Sequence, residues 1–197
     1  IDTVRRQSSG SLVSMLEVSS LKGQVRRRGE VVEADVPLRE VRFPGGLRHC
    51  IALPLADLYT GWETTGIADI TACVAQDRLA ANLLRHGAPL MRRLFSHERL
   101  RQRTQALIRR HVQGPDAGTR AGDRTWAWAR VADAAGRSAE AWLETCEGYT
   151  FTAAVAPWIV EAALASDRRG ATTVAAAFGA DFVLQVPGTR RLDRLPG

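Results

Sequence analysis

From residue 125 the sequence reads Thr-Trp-Ala-Trp-Ala-Arg-Val, and from residue 139 it reads Ala-Glu-Ala-Trp-Leu-Glu-Thr-Cys. Large and small side chains alternate along both segments with the two-residue period of a β-strand. Residues 133–138 between them contain the aspartate and glycine that turns favour. The two segments therefore predict a long antiparallel hairpin with Trp126 and Trp128 on one face, and such a hairpin favours a fold built on antiparallel sheet.

Further strands and helices surround this hairpin. We predict strands at 24–28 and 30–34, at 38–43 and 47–53, at 67–74 and at 181–186. We predict helices at 11–21, 55–62, 77–111 and 150–165, with Gly87-Ala88-Pro89 dividing the third into two. Residues 113–123 are predicted to be a mobile connection and 189–197 a frayed tail. Strands joined by hairpins, with helices gathered elsewhere, predict one α+β domain over 1–188, with helices packed on one face of a largely antiparallel sheet.

The composition is that of an ordinary globular protein. A chain of 197 residues is long enough for one domain with a full core. The net charge of +6 comes from arginines spread along the whole chain, and the densest basic stretch, 85–110, contains Phe95 as its only aromatic residue. Because single-stranded nucleic acid is bound by basic surfaces with interleaved aromatic side chains, we expect no nucleic-acid partner.

Neither a membrane segment nor a metal site is indicated by the sequence. The longest apolar stretch, 151–160, ends at Glu161 and is too short to span a bilayer. The three cysteines lie far apart, which is typical of proteins in the reducing cytoplasm. The four histidines do not show the spacing of metal ligands. We therefore expect a cytoplasmic protein with no metal and no membrane anchor.

Residues 53–66 are the first candidate for chemistry, because a predicted strand there runs through a proline into a short helix. This arrangement places Asp57, Tyr59, Trp62 and Glu63 near one rim of a predicted pocket. Asp57 is a candidate general acid or base if burial raises its pKa, and Tyr59 is a candidate hydrogen-bond donor to a substrate carbonyl. The alternative is that Asp57 caps the helix, and the same alternatives hold for Glu63.

His49 and the tryptophans of the hairpin have both a functional and a structural interpretation. His49 shares one face of a predicted strand with apolar residues, so it is either an acid–base group or a histidine of the core or rim. Cys50 points to the other face, which excludes a Cys–His pair between these neighbours. The tryptophans 126, 128 and 142 should cluster on the long hairpin, either as core or as the wall of a cavity for an apolar substrate.

Five segments of the chain carry a family resemblance. They are Ser8-Ser9-Gly10-Ser11, Pro54-Leu55-Ala56-Asp57-Leu58-Tyr59, Glu63-Thr64-Thr65-Gly66-Ile67, Glu144-Thr145-Cys146-Glu147-Gly148-Tyr149-Thr150-Phe151-Thr152-Ala153 and Ala177-Phe178-Gly179-Ala180-Asp181-Phe182-Val183-Leu184. Through them the chain resembles the C-terminal substrate domain of the saccharopine dehydrogenase-like oxidoreductases. The resemblance implies a homodimer, formed by this domain, and a cofactor NADP that binds to an N-terminal Rossmann domain absent from this chain. These residues themselves are expected to bind no cofactor.

The second segment departs from the family pattern, which usually reads Pro-Trp-Gly-Asp followed by an aromatic residue and lies beside the nicotinamide. Here Leu55-Ala56 replaces the Trp-Gly pair, whereas Asp57, Tyr59 and the later Thr65 match. The resemblance therefore implies that Thr65 belongs to the substrate surface. Tyr149, at the junction of hairpin and helix, matches a Gly-Tyr of the family and either contacts substrate or anchors the helix.

Three hypotheses for function follow. The first is a cofactor-independent enzyme, a cyclase or isomerase of bacterial natural-product biosynthesis that folds and polarises an apolar substrate. The second is the substrate half of an NAD(P)H-dependent oxidoreductase, and the third is a dimerisation or scaffold domain without catalysis. The catalytic candidates are Asp57, Tyr59, His49 and Glu63, and the substrate-binding candidates are Trp62, Thr65, Trp126, Trp128, Trp142 and Tyr149.

Overall fold

Helices and three small antiparallel sheets make up the fold. The structure, a computed structural model, describes residues 7–19, 22–35, 38–114 and 116–195. Its elements are α1 (Ser9–Ser19), β1 (Gln24–Arg27), β2 (Glu30–Glu33), β3 (Arg39–Phe43), β4 (Gly46–Ala52), α2 (Asp57–Thr65), β5 (Cys73–Gln76), α3 (Arg78–Phe95), α4 (Glu98–His111), α5 (Ala117–Gly122), β6 (Arg124–Ala132), β7 (Ser138–Cys146), α6 (Gly148–Leu164), α7 (Val174–Phe178), a 3-10 helix (Ala180–Gln185) and β8 (Arg190–Leu192). The predicted α+β class is confirmed. The single sheet is not, because the described strands form the separate sheets β1–β2, β3–β4–β5 and β6–β7–β8.

The first sheet is a β-hairpin with a two-residue turn. Arg28 and Gly29 connect β1 to β2, and their φ angles are 50° and 84°. Positive φ at both positions is typical of the type I′ turn, whose twist matches that of the flanking strands. The amide of Arg28 also donates a hydrogen bond of 2.9 Å to Oδ1 of Asp69. The predicted hairpin around Gly29 is therefore confirmed.

The main hydrophobic core lies between the second and third sheets. One face of β3–β4–β5 presents Val41, Phe43, Cys50 and Ala75, and Trp142 of β7 packs against them. The Nε1 atom of Trp142 donates a hydrogen bond of 2.9 Å to the carbonyl of a residue in β3. The predicted hairpin of tryptophans therefore forms one layer of the core. The other layer is the second sheet, β3–β4–β5, called the middle sheet below.

The opposite face of the middle sheet is turned toward helices. Its register pairs His49 with Gln76 and Ile51 with Val74, so these four side chains lie on the face away from the tryptophans. Helix α3 contacts β4 on this side, and α1 and α3 both contact α4. Among the described residues, no helix combines the length and the apolar character needed to cross a membrane.

Helix α3 differs from the prediction. It runs unbroken through Pro89, and the chain instead turns at Ser96-His97 before α4 begins. Proline in a helix removes one hydrogen bond, but packing can compensate for this loss. Ala81 and Phe95, near the two ends of α3, are both buried, so the helix is packed against the rest of the fold on both sides of Pro89. Within the segment predicted to be a mobile connection, Ala117–Gly122 form the short helix α5.

The structure also differs from the predictions for two strands and for the C-terminal tail. The strand predicted at 67–74 is β5, displaced to Cys73–Gln76, with an isolated bridge between Ile70 and Arg26. The strand predicted at 181–186 is instead the 3-10 helix, whose turns bring the buried Phe182 to 5.3 Å from Phe178, measured between ring centroids. The tail predicted to fray forms β8, which pairs with β7. Leu21, at the predicted end of the first helix, and residues 196–197 of the tail lie outside the described residues.

Candidate functional site

A cavity of about 730 Å³ lies between α1, α3 and the helix-facing side of the middle sheet. Its walls come from several elements, listed here in chain order: Met15, Val18, Lys22, Gly23, Glu33, Ala34, Asp35, Leu38, Ile51, Ala52, Leu53, Pro54, Val74, Gln76, His86, Ala88, Pro89, Met91 and Arg92. Ligand cavities commonly measure about 300–1,000 Å³ and are lined mainly by apolar side chains. This cavity therefore has the size and the lining of a site for a small apolar molecule.

The apolar walls follow from helical and strand periodicity. Met15 and Val18 are three residues apart on α1, and they share a face because a helix turns every 3.6 residues. Ile51 and Val74 are cross-strand partners on the sheet face opposite the tryptophans. Met91 comes from α3. The unbranched methionine side chains adapt readily to ligands of different shape.

Polar and charged groups accompany these apolar walls. The Nζ atom of Lys22 contacts Oε2 of Glu33 at 2.7 Å, and both side chains are exposed. Arg92 is half-buried, and the side chain of neither Arg92 nor His86 forms a hydrogen bond or an ion pair with any residue the structure describes. Gln76 adds an amide. These side chains leave hydrogen-bonding groups available to a ligand inside the cavity.

The predicted residues on α2 surround a buried arginine instead of a pocket. Arg26 is 7% exposed, and its Nε atom donates a hydrogen bond of 2.6 Å to the carbonyl of Leu58. Its guanidinium lies 5.6 Å from the ring centroid of Tyr59 and 5.1 Å from that of Trp62. These are cation–π distances, so the two aromatic rings hold β1 against α2. The carbonyl of Gly29 accepts a further hydrogen bond from the same guanidinium.

The other candidates on α2 face outward. Asp57 is exposed in the first turn of the helix, where its negative charge interacts favourably with the helix dipole. Glu63 is exposed as well. The Oγ1 atom of Thr65 donates a hydrogen bond of 2.6 Å to the carbonyl of Gly61 and accepts one of 3.2 Å from the amide of Ile67. None of these side chains lines the cavity.

Neither His49 nor the tryptophans line the cavity, although Gln76, the cross-strand partner of His49, does. The Nδ1 atom of His49 is 3.6 Å from Oε1 of Glu40, and the imidazole side chain is 13% exposed. Trp126 and Trp128 pack beside the buried Trp142 in the hydrophobic core, on the other face of the middle sheet. The structure therefore does not bring the catalytic and substrate-binding candidates together around one cavity.

Tyr149 joins the start of α6 to the start of α1. Its hydroxyl accepts a hydrogen bond of 2.8 Å from the amide of Ser8 and lies 2.6 Å from the hydroxyl of Ser11. Partial burial raises the pKa of Tyr149, but the hydrogen bonds from Ser11 and Ser8 outweigh it, so the pKa lies below its ordinary value. Beside it, the buried Glu147 caps α6 and accepts hydrogen bonds from the amides of Tyr149 and Thr150.

A pair of thiols is a feature that sequence reasoning missed. Cys50 on β4 and Cys73 on β5 lie diagonally across the ladder on the same face, and neither is in a disulfide. A hydrogen bond from Cys50 lowers the pKa of Cys73 from 9.0 to about 7, against the opposing effect of burial. Arg39 lowers this pKa further, whereas Asp57 raises it. Only the register of the two strands reveals this pair, because their sequence positions are far apart.

The cavity residues were also missed by sequence reasoning. The amphipathic pattern indicates that Met15 and Ile51 face inward, but it does not reveal the gap between the two surfaces. The size of that gap depends on how α1 and α3 sit over the sheet, which no local pattern specifies.

Comparisons with known proteins give no relative for this chain. No protein-family model, no curated protein and no solved structure matches the sequence or the fold. The resemblance to saccharopine dehydrogenase-like oxidoreductases therefore rests on the five sequence segments alone and stays a prediction.

Proposed function

We propose that this protein binds an apolar small molecule in the cavity between α1, α3 and the middle sheet, and that it converts this substrate without a cofactor, as a cyclase or isomerase. The observation that carries the proposal is the cavity of about 730 Å³ with aliphatic and methionine walls. Burial of an apolar ligand there is favourable by about 25 cal/mol for each Å² removed from water.

The polar residues of the cavity support a reaction by proton transfer. His86 lines the cavity, and an imidazole placed there is suited to remove a proton beside a carbonyl and return it elsewhere on the substrate. Arg92, which has no partner among the described residues, would stabilise the negative charge that develops on the carbonyl oxygen. The proton returns to the substrate at the end, so the reaction needs no oxidant or reductant. This scheme replaces Asp57 and Tyr59 as acid–base candidates, because neither lines the cavity.

Ligand binding is tested first with 1-anilinonaphthalene-8-sulfonate, an anionic fluorophore whose aromatic rings bind to apolar surfaces. Met91→Trp places a larger side chain in the cavity, and we expect it to weaken dye binding at least about tenfold. Leu90→Trp is the matched control, because Leu90 is the neighbouring residue on α3, is exposed and does not line the cavity. Equal dye affinity in both variants and the wild type would show that the cavity is not the binding site.

Catalysis is tested separately with an apolar β,γ-unsaturated ketone, whose isomerisation to the conjugated ketone is followed by ultraviolet absorbance. We expect turnover by the wild type and a loss of about 10²–10⁴-fold in His86→Gln, with dye affinity unchanged. Dye binding without turnover would show that the protein binds apolar ligands but does not isomerise substrates of this class.

A further inference from the structure

Helix α6 is apolar around most of its circumference, although it lies at the surface. Its 17 residues include Glu161 as the only charged side chain. A helix that is hydrophobic all round is normally buried on all sides. None of the residues of α6, all of which the structure describes, is buried in this chain. The helix therefore lacks a covering surface that its composition requires.

The two faces of α6 are unequally covered. The inner face is half-buried against the rest of the chain and consists of Phe151, Ala154, Val155, Trp158, Ile159 and Ala162. The outer face is exposed and consists of Tyr149, Thr152, Ala153, Ala156, Pro157, Val160, Ala163 and Leu164, with Thr150 and Glu161 exposed along one edge of it. On this outer face Val160 is 56% exposed and Leu164 is 83% exposed. Scattered exposed apolar residues are common, but a continuous apolar face along a whole helix indicates an interaction site.

The accessible surface of the whole chain points the same way. It measures 13,328 Å². A compact monomer of 21.5 kDa is expected to expose about 9,000 Å². The excess, roughly 4,000 Å², is larger than the ~800 Å² that each partner buries in a protein–protein interface of standard size. The chain as a whole therefore exposes more surface than a compact monomer does, and the uncovered outer face of α6 is part of that surface.

We infer that the outer face of α6 binds the same face of a second copy of this chain. In a twofold dimer each patch must complement itself, and a face whose one charged residue, Glu161, lies at its edge does so without bringing like charges together at its centre. The net charge of +6 resides elsewhere on the chain, where it opposes association through other surfaces. A lipid surface fits less well, because helices that lie on anionic membranes carry lysine or arginine on their polar side and α6 carries neither.

The sequence of α6 also sets the geometry of the pair. Ala156 is at the middle of Gly148–Leu164, so a twofold axis near Ala156 pairs the two helices antiparallel along their full length. Alanines at 153, 156 and 163 let the helix axes approach closely, while Val160 and Leu164 fill the grooves beside them. This inference is independent of the cavity and of the proposed function.

The oligomeric state tests the inference. We expect the wild type to have the mass of a dimer by size-exclusion chromatography with light scattering, and Val160→Asp/Leu164→Asp to have the mass of a monomer. The control is Leu79→Asp/Leu107→Asp, which changes two residues of similar exposure on α3 and α4 and should stay dimeric. A monomeric wild type, or a dimer that both double variants preserve, would overturn the inference.

A cross-link tests the position of the axis even if the aspartate variants fold poorly. Under mild oxidation Ala156→Cys should form a covalent dimer that a reducing agent reverses, whereas the wild type, with its own three cysteines, should not. The matched control is Ala134→Cys, in the exposed turn between β6 and β7, which should not form a covalent dimer. Equal cross-linking at both positions, or flotation of a monomeric wild type with anionic phospholipid vesicles, would exclude the α6 pair.

Discussion

Replacement of Glu147 by alanine should destabilise the protein more than any other single carboxylate substitution in the third sheet or in α6. The Glu147 side chain is completely buried. It accepts hydrogen bonds from the amide of Tyr149 at 3.1 Å and from the amide and hydroxyl of Thr150 at 3.0 and 3.1 Å. It is thus the N-cap of α6, where a carboxylate also interacts favourably with the helix dipole.

The expected loss is about 3 kcal/mol. Removal of an N-cap costs about 1–2 kcal/mol, and amides left without an acceptor in a buried setting add about 1–3 kcal/mol. For a chain of this size, 1 kcal/mol corresponds to roughly 2–4 °C, so the Tm should fall by about 6–12 °C. Glu147→Gln keeps one oxygen acceptor in place and should lose about half as much.

Thermal and urea unfolding followed by far-ultraviolet circular dichroism, at one fixed protein concentration, would measure these losses. Glu161→Ala is the control, because Glu161 is the carboxylate within the helix itself and is exposed. Its loss should change stability by less than about 0.5 kcal/mol. If Glu147→Ala were no more destabilising than Glu161→Ala, the buried cap would not stabilise α6 and the reasoning would be refuted.

Three further substitutions test other parts of the structure. Arg26→Lys should lower the free energy of unfolding in urea by about 2–3 kcal/mol, because lysine cannot stack between two rings and donate to two carbonyls at once, whereas Arg27→Lys should change it by less than about 0.5 kcal/mol. Alkylation of Cys73 by iodoacetamide, followed by mass spectrometry of the peptide, should rise with a midpoint near pH 7, since its lowered pKa leaves thiolate above that pH. Cys50→Ala should move this midpoint upward, and a wild-type midpoint near 9.0 would contradict the proposed hydrogen bond. Trp142→Phe should cost about 1–3 kcal/mol in urea, because a backbone carbonyl of β3 then loses its donor; an unchanged midpoint would show that water replaces the indole there.

The hairpins were predictable because their signals are local. Alternation along the tryptophan segments predicts that the tryptophans cluster on the hairpin, where the structure pairs Trp128 with Trp142, and Gly29 marks the turn of the first hairpin. In both cases the residues that decide the structure are neighbours in sequence. Physical rules of period and turn chemistry are then sufficient.

Prediction failed where packing between distant segments decides the structure. The apolar segment at 181–186 has the composition of a strand, yet Phe182 lies 5.3 Å from Phe178, between ring centroids, and this contact favours a helical turn. The tail forms β8 because the long edge of β7 offers it hydrogen-bonding partners. Tyr59 and Trp62 suggested a pocket, but a buried arginine from another element occupies the space between them. No window of sequence contains the two sides of such a contact.

The hydrogen bond from Trp142 to the carbonyl of Arg42 has a consequence for the order of folding. It joins residues 100 positions apart, whereas the pairs β1–β2, β3–β4 and β6–β7 each join neighbours in sequence. Short loops close in well under a microsecond and hairpins form within about 10 microseconds, but closure of a long loop costs more entropy before any contact repays it. The hairpins should therefore form early and independently, and docking of the tryptophan layer onto the middle sheet should be the rate-limiting step that turns separate hairpins into one cooperative unit.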